Sequence, residues 1–463
     1  MSVHGPLGAT PQGGGFELTR PGPSARGRTS RVNAGGLGLA GLLLTGLVVS
    51  VSAAGTDSLL PESVRPVPSW LAGPFGSAGL DLGTAGLILV MSLMFISYAV
   101  AVRASHRLSG RAVLMSIAAL HALVLLAPPL FSTDVFSYQA YARIGALYGA
   151  NPYLQGPHVI ALDPLYSFIG AKWVTIPTAY GPIFTSLSYL LAPLSIAASV
   201  LSYKAIAAIA SLATVAFVWN SARLRGLDPV RAAALVGLNP LIVMYGVGGG
   251  HNDLLMLAAV AGGIYLLLRR RGHAGGGLLV LAAGLKLTAA LLVPFAIAGG
   301  GGWTAGRRRE VLTGGAVGAA LVATLGFGVF GSGPLHLLAT AHQAQSMGDW
   351  HSLPGLIGAG LGLGAVGHAA STVLLALFAG VFGRLLWRVW RGELDWIDGA
   401  GWATAALLLT ATALFPWYLA WLMPLAALGT DRRLTGVAVG LAGFVQVTQL
   451  LGYIPHGASL LGT

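Results

Sequence analysis

Cysteine is absent from the 463-residue chain, and charged side chains make up only 9% of it. Without cysteine there is no disulfide, no thiolate nucleophile and no cysteine-based metal site. Ordinary soluble domains carry about 25% charged residues, so this chain has too few charges to cover the surface of a soluble protein of its size. The composition therefore excludes a soluble globular protein.

Long segments without Asp, Glu, Lys or Arg occupy much of the chain, and 55% of all residues are hydrophobic. The uncharged segments are Val32–Thr56, Val311–Gly348, Trp350–Gly383, Gly399–Thr430 and Leu434–Thr463. Each is longer than the roughly 20 residues that cross a hydrocarbon layer. The sequence therefore predicts an all-α polytopic membrane protein with about 11 to 13 transmembrane helices, some of them short or re-entrant.

Basic residues lie in short clusters between the apolar segments, although the formal net charge is +12. This distribution is typical of cytoplasmic loops in the cell membrane, so no nucleic-acid partner is expected. Residues 1–34 are interpreted as a disordered basic cytoplasmic tail, and residues 35–463 as a single multispanning domain. Gly35–Ala54 ends like a signal peptide, but its length favours an uncleaved anchor. Segments 132–180 and 332–354 then face outward, the first as the catalytic loop and the second as an accessory loop.

Two stretches conflict with this orientation. Ser188–Ser202 and Tyr203–Ala222 resemble two spans, whereas an odd number of crossings is required there. Gly277–Ala298 must contain an even number of crossings, yet it is barely longer than one helix and is interrupted by Lys286 and Pro294. Short, broken or re-entrant helices resolve both conflicts, and irregular backbone at membrane depth is typical of a protein cavity.

Asp134 follows the third apolar segment directly, which places it at the outer membrane surface. A carboxylate at the mouth of a cavity suits a general base that takes a proton from an acceptor hydroxyl. The alternative is structural, since Ser132, Thr133 or Asp134 is also a good cap for the helix that follows.

Several tyrosines follow Asp134, accompanied by Arg143. Their spacing is typical of a helix that lies on the membrane surface, and either a saccharide site or an ordinary aromatic belt explains them. They are Tyr138, Tyr141, Tyr148 and Tyr153.

Two further polar features lie beside apolar segments. His251-Asn252-Asp253 follows three glycines, and these residues either form part of a site or end one helix and cap the next. Lys286 lies within an apolar run, where an ammonium costs about 3 kcal/mol at mid-membrane. It either reaches the interface with its long side chain or binds the phosphate of an anionic lipid.

Metal and nucleotide sites are not expected. The histidines between His336 and His351 lack the spacing of metal ligands. No Walker motif is present, and the glycines at 358–364 lack the strand and helix of a dinucleotide loop. We therefore expect no cofactor, metal or nucleotide.

The polar motifs together resemble those of a bacterial family, the actinobacterial polyprenol-phosphomannose-dependent α-1,6-mannosyltransferases, which have the GT-C fold. The resemblance covers about Leu130 to Tyr418, and the chain differs from the family pattern at Phe136, where a Tyr is usual. The matching blocks, in order, are Asp134-Val135-Phe136-Ser137-Tyr138, Asn151-Pro152-Tyr153, Tyr180-Gly181-Pro182-Ile183-Phe184, Asn239-Pro240-Leu241, Gly248 to Asp253, Lys286 with Thr288 and Leu292 to Phe295, and Pro416-Trp417-Tyr418.

The resemblance implies a lipid-linked donor, polyprenyl-phosphate mannose, and a mannan, lipomannan or glycolipid acceptor on the outer face. Asp134 matches the carboxylate that deprotonates the acceptor, and the transfer proceeds with inversion. Cationic residues should stabilise the leaving phosphate, with Lys286 as the first candidate and Arg143, Lys172 and His342 behind it. The expected substrate-binding residues are Tyr138, Tyr153, Tyr180, His251, Asn252, Asp253, Trp417 and Tyr418.

Two alternatives stay open. A secondary transporter or flippase of a lipid-linked sugar would also use broken helices and buried charges. A protein O-mannosyltransferase would use the same fold and class of donor. The long outer segments and the absence of an evident internal repeat favour the glycosyltransferase.

Overall fold

The structure is a computed structural model, and it describes residues 34–300, 304–346, 351–362 and 366–454. The predicted cytoplasmic tail therefore lies outside the described residues, except for Ala34. The accessory segment 332–354 is described apart from residues 347–350.

The described residues are largely helical and include no β-strand. The first helices in chain order are α1 Ala34–Ser52, α2 Gly83–Arg103, α3 Gly110–Leu126, α4 Asp134–Ala146, α5 Pro182–Tyr189, α6 Ile196–Leu224, α7 Pro229–Gly237, α8 Asp253–Leu268 and α9 Gly272–Leu285. The remaining helices are α10 Leu292–Phe295, α11 Ala305–Phe330, α12 Leu337–Ser346, α13 Leu353–Gly360, α14 His368–Trp390, α15 Trp396–Thr410, α16 Met423–Leu428 and α17 Arg432–Leu451.

Six helices within the described ranges are long and apolar enough to cross a membrane, namely α1, α2, α6, α11, α14 and α17. A seventh candidate is the pair formed by α7 and the π-helix Leu241–Val247, which is bent by 47°. Shorter apolar helices lie between them, among them α3, α8 and α9. This architecture confirms the predicted all-α polytopic membrane fold.

Both stretches that conflicted with the orientation are irregular. Ser188–Ser202 is not a span of its own, because the long helix begins at Ile196, after the Ser195 hydroxyl that accepts from the backbone N–H of Ala198. The second stretch breaks at Lys286, whose backbone is extended (φ −151°, ψ 125°) between α9 and the 3-10 helix Leu287–Leu291. The predicted interruption at Lys286 is therefore confirmed.

The basic clusters lie at one end of the helices, which we call the basic end. Three helices, α7, α15 and α17, begin there, each with an aspartate side chain that accepts from first-turn backbone N–H groups. The Arg225 guanidinium lies 3.1 Å from the Asp395 carboxylate and joins the end of α6 to the start of α15. Capping aspartates and arginine pairs thus fix the basic end.

Helices α9 and α11 approach each other so closely that only glycine fits at their contact. A methyl group on Gly314 would overlap the backbone carbonyl of His273, and one on Gly276 would overlap that of Val311. Small residues allow such close approach, and dispersion contacts between backbones then hold the helices together in lipid. This contact positions α9, whose last residue precedes Lys286.

We predict that Gly314→Ala destabilises the protein, because the added methyl must push α11 away from α9. The matched control is Gly380→Ala on α14, where an added methyl meets nothing within 4 Å. The control should be neutral or raise stability by up to about 1 kcal/mol through helix propensity. Thermal unfolding in detergent measures both, and equal apparent Tm values for the two variants would contradict the close contact.

Candidate active site

The predicted polar residues meet at the end of the helices opposite the basic end. Asp134 is the first residue of α4, and His251, Asn252 and Asp253 lead into α8. Lys286 lies in the break after α9, and the 3-10 helix Pro416–Trp421 packs beside them. We call this group the polar cluster and define it as Asp134, Tyr180, His251, Asp253 and Lys286.

Backbone hydrogen bonds hold the two loops of the cluster side by side. The Leu130 N–H donates to the Gly248 carbonyl oxygen at 3.1 Å, which joins the segment before Asp134 to the turn before His251. That turn needs a glycine at Gly250, because its φ is +67°. The turn then directs His251 toward Asp134.

The Asp134 carboxylate faces two polar side chains. Its Oδ2 lies 3.4 Å from His251 Nδ1, and the Tyr180 hydroxyl donates to the same oxygen at 3.5 Å. The Asp134 side chain is 18% exposed, whereas that of His251 is fully buried. Thr133, at the N-cap of α4, makes no side-chain capping bond. The geometry therefore places Asp134 in a cluster of polar side chains, in addition to its position at a helix start.

The electrostatics of the cluster keep Asp134 ionised. Burial opposes ionisation, but the hydrogen bond and charge of His251, together with the charge of Lys286, hold the pKa of the Asp134 carboxyl below its usual value. Burial and the charge of Asp134 raise the pKa of Tyr180 well above its usual value. Tyr180 is therefore a protonated donor and Asp134 an ionised acceptor.

Asp253 is the second carboxylate and has a different environment. Its side chain is fully buried and accepts from Lys286 Nζ at 2.7 and 2.8 Å. The Trp421 indole N–H donates to the same carboxylate at 2.7 Å. Two donor groups thus make three hydrogen bonds to Asp253, and the Lys286 ammonium balances its charge, as a buried carboxylate requires.

Aromatic rings form one wall of the cluster, which we call the aromatic wall. The Trp417 ring stacks on His251 with centroids 3.7 Å apart, and the Phe415 ring stacks on Trp417 with centroids 4.9 Å apart. The Tyr418 ring stacks on Trp421 at 4.2 Å. Lys286 Nζ lies 5.1 Å from the centroid of Tyr418, within range of a cation–π contact.

Tyr138 and Asn252 lie behind the cluster. The Tyr138 hydroxyl is 3.5 Å from His251 Nδ1 and donates to Asn252 Oδ1 at 3.3 Å. Tyr138 is 1% exposed and packs edge-on against Tyr180. These contacts orient His251 and Tyr180, so Tyr138 and Asn252 support residues of the polar cluster.

Tyr153 is placed apart from the cluster by its packing. Its hydroxyl donates to the Tyr180 carbonyl oxygen at 2.8 Å, and its ring packs on Phe330. The structure brings it to the backbone of Tyr180 rather than to the Asp134 carboxylate.

The three other predicted cations differ in their surroundings. Arg143 forms a 2.6 Å ion pair with Asp163 and lies nine residues after Asp134 on α4, about 13 Å along the axis. The exposed Lys172 lies 5.9 Å from the ring of Phe415, at the edge of the aromatic wall. His342 is exposed on α12. The structure thus brings Lys172 to the aromatic wall and gives Arg143 a structural partner.

Sequence reasoning missed Trp421 and Phe415. Trp421 follows Tyr418 by three residues, a spacing that aligns their side chains on one face of the 3-10 helix, and this signal was present in the sequence. Phe136, where the family usually has Tyr, is fully buried and stacks on Phe168 at 5.3 Å.

Among the described residues there is no group of three or more His, Asp or Glu side chains that could hold a metal ion.

We predict that Lys286→Met lowers the free energy of unfolding by about 3 to 5 kcal/mol, because it leaves the Asp253 carboxylate buried without its cation. The double variant Lys286→Met with Asp253→Asn should recover most of this loss. The matched control is Arg388→Met at the exposed Arg388–Glu393 pair, where a loss below about 1 kcal/mol is expected. Thermal unfolding measures these changes. Equal losses of stability in the single and the double variant would contradict the ion pair.

Comparison with known proteins shows the relatives of the chain. Residues 34–299 match the family model described as alpha-(1->6)-mannopyranosyltransferase, N-terminal domain, and residues 347–463 match the model described as MptB C-terminal domain. No solved structure gives a significant match.

Three curated proteins are similar to the chain. A probable alpha-(1->6)-mannopyranosyltransferase of Mycolicibacterium smegmatis is 28% identical over 70% of this chain and 66% of its own length. An alpha-(1->6)-mannopyranosyltransferase of Mycobacterium tuberculosis is 34% identical over 28% of this chain and 22% of its own length. Alpha-(1->6)-mannopyranosyltransferase B of Corynebacterium glutamicum is 27% identical over 82% of this chain and 71% of its own length. The chain thus spans just under two thirds of the first relative.

The family model alone covers more than half of the chain, and the motif resemblance is confirmed. The chain therefore belongs to the alpha-(1->6)-mannopyranosyltransferase family.

Proposed function

We propose that the protein is a membrane mannosyltransferase. It moves mannose from a polyprenyl-phosphate mannose donor to a mannan, lipomannan or glycolipid acceptor, and it forms α-1,6-linkages with inversion. One observation carries this proposal: a partly exposed carboxylate lies in a cluster with a partly buried ammonium and a wall of stacked aromatic rings. Membership of the family supports the sugar and the linkage, and the chemistry of the cluster supports the donor and the residue roles.

The two carboxylates of the cluster are suited to different tasks. Asp253 is fully buried and accepts three hydrogen bonds from Lys286 and Trp421, so it has no access to a substrate hydroxyl. Asp134 is 18% exposed and ionised, and the contacts of His251 and Tyr180 to its Oδ2 are long, at 3.4 and 3.5 Å. Asp134 is therefore the general base in this proposal.

With Asp134 as the base, the transfer is a single displacement at the anomeric carbon. The acceptor hydroxyl oxygen attacks the anomeric carbon of the mannose while its proton passes to the Asp134 carboxylate. The bond between the anomeric carbon and the phosphate oxygen breaks, and its electron pair leaves with the lipid phosphate. Attack from the face opposite the phosphate inverts the anomeric centre, so a β-linked donor gives an α-linkage.

Lys286 is positioned to stabilise the charge that develops on the leaving phosphate. An ammonium has three N–H donors, and the short contacts to Asp253 use two of them. The third remains for a phosphate oxygen, on a side chain that is 13% exposed. Lys172, at the edge of the aromatic wall, supplies a second positive charge as the phosphate arrives.

The aromatic wall and a neighbouring cleft fit the two ends of such a donor. Sugar rings stack on aromatic faces such as those of Trp417 and Tyr418. An apolar cleft of about 280 Å³ is lined by residues of α5, α9 and α11, and its lining includes Pro182 and Leu287, which lie close in sequence to Tyr180 and Lys286. We assign the sugar to the aromatic wall and the first prenyl units to this cleft.

The position of the basic clusters supports an orientation. They lie at the end of the helices opposite the polar cluster, as at Arg269–Arg271 after α8, which begins with Asp253. Because basic loops stay in the cytoplasm, we propose a cytoplasmic N-terminus and an extracytoplasmic site in the cell membrane.

We predict that Asp134→Asn lowers mannosyl transfer at least about 100-fold, because the amide cannot accept the proton. Right-side-out vesicles receive polyprenyl-phosphate radiolabelled mannose in the bilayer and a membrane-impermeant α-1,6-mannoside outside. The matched control is Asp81→Asn, an exposed carboxylate in the segment before α2, and it should retain full activity.

Binding of the donor lipid separates the alternatives. Asp134→Asn should bind polyprenyl-phosphate mannose as wild type does, whereas a transporter or flippase has no reason to separate binding from turnover. Equal transfer by wild type and Asp134→Asn would contradict the assignment of the base, and transfer only to acceptors inside the vesicles would contradict the orientation.

Because the pKa of Asp134 is held below its usual value, lowering the pH from 7 to about 5 should not protonate it.

A further inference from the structure

Lys204 carries a buried amino group that the mechanism above does not use. It lies within the membrane-length helix α6, where only 1% of the residue is exposed. Among the described residues no carboxylate lies within ion-pair distance of this amino group. An ionisable group in such a position is costly and is typical of a functional element.

The Lys204 amino group donates to two backbone carbonyl oxygens, those of Ala127 and Pro128, the latter at 3.1 Å. These residues directly follow the end of α3, where the last carbonyl groups of a helix lack intrahelical partners. Both residues are buried, and a buried carbonyl oxygen needs a hydrogen-bond donor. Lys204 thus satisfies acceptors that the end of α3 leaves open.

The segment fixed in this way carries Asp134. Between Pro128 and Asp134 the chain passes through Phe131, a non-glycine residue with a φ of +61°. Such a conformation persists only when its surroundings hold it. The Phe131 ring stacks on Tyr245 with centroids 4.3 Å apart, and its N–H donates to the Leu59 carbonyl oxygen at 2.9 Å.

The stem of Lys204 also lies beside the turn that carries His251. A methyl group built on Gly250 would lie 3.3 Å from Lys204 Cγ and 3.5 Å from a methyl of Val135. One side chain therefore hydrogen-bonds the loop before Asp134 and lies next to the loop before His251.

We propose that Lys204 is a positioning residue that sets the Asp134 carboxylate against His251. The proposal rests on the proposed function, since it gives Asp134 the role of base. Lys204 does not contact the reacting atoms, and it acts by tying the backbone before Asp134 to α6 and to the turn before His251.

The test compares Lys204→Met, which keeps the length of the side chain but removes the donors, with Lys204→Gln, which keeps an N–H donor. The matched control is Ser211→Ala, at a residue that lies on α6 like Lys204. This change removes a buried 2.8 Å hydrogen bond to His121 of α3. All variants are purified as the full chain in detergent, and their mannosyl transfer and amide hydrogen exchange are measured.

We expect Lys204→Met to lower kcat at least tenfold while KM for the lipid donor changes less than threefold, because Lys286 is unaltered. Amide exchange should rise at least tenfold in peptides covering 127–136 and 248–252. Lys204→Gln should recover part of both losses, and Ser211→Ala should leave kcat and these peptides unchanged. If Lys204→Met does not fold, the comparison of Lys204→Gln with Ser211→Ala provides the same test.

Three outcomes overturn the proposal. Unchanged exchange in both peptides would show that Lys204 does not anchor the loops. Raised exchange with wild-type kcat would show that the anchoring does not position the base. An equal fall of kcat in Ser211→Ala would make the effect one of general stability. Absence of transfer in wild type would instead refute the proposed function, while the exchange data would still decide the anchoring.

Discussion

The burial of the Asp253 carboxylate is the constraint on which the site depends. A fully buried carboxylate is stable only when donors surround it, and here they come from the break after α9 and from the 3-10 helix Pro416–Trp421. Three separate parts of the chain must therefore meet at this point. Their meeting fixes Lys286 and brings Trp417 and Tyr418 against His251 and Lys286. The same ion pair that stabilises the fold thus assembles the cation and the aromatic wall of the site.

Irregular backbone is concentrated where the polar side chains are. The break at Lys286, the left-handed residues Phe131 and Gly250, and the π-helix Leu241–Val247 all adjoin the polar cluster. In a membrane such backbone needs internal hydrogen-bond partners, and side chains such as Lys204 provide them. The regular helices, by contrast, supply the apolar exterior and the close α9–α11 contact. The regular helices therefore carry the apolar surfaces, and the irregular segments between them carry the polar side chains of the cluster.

The sequence predicted the helical fold from its uncharged segments, and it predicted the break at Lys286 from one charge in an apolar run. It also indicated Asp134, His251, Asp253 and Lys286 as candidate site residues, since a polar side chain beside or within an apolar segment is costly unless it has a partner or a function. It did not show that Lys286 pairs with Asp253, because 33 residues and one helical hairpin separate them.

Other features of the site depend on tertiary contacts that no local pattern encodes. Arg143 belongs to an ion pair with Asp163 rather than to the cluster, and only the fold reveals this partner. Trp421 has a helical spacing to Tyr418, but its hydrogen bond to Asp253 spans 168 residues. The different environments of the two carboxylates likewise depend on the fold, which buries Asp253 and leaves Asp134 partly exposed.

The most direct test of the central claim is an experimental structure of the protein in a lipid nanodisc with a bound non-hydrolysable prenyl-phosphate mannose analogue. We expect a phosphate oxygen within hydrogen-bond distance of Lys286 Nζ, the mannose against Trp417 and Tyr418, and the prenyl chain in the cleft beside Leu287. A phosphate bound elsewhere, with Lys286 and Asp253 still paired and out of its reach, would contradict the account.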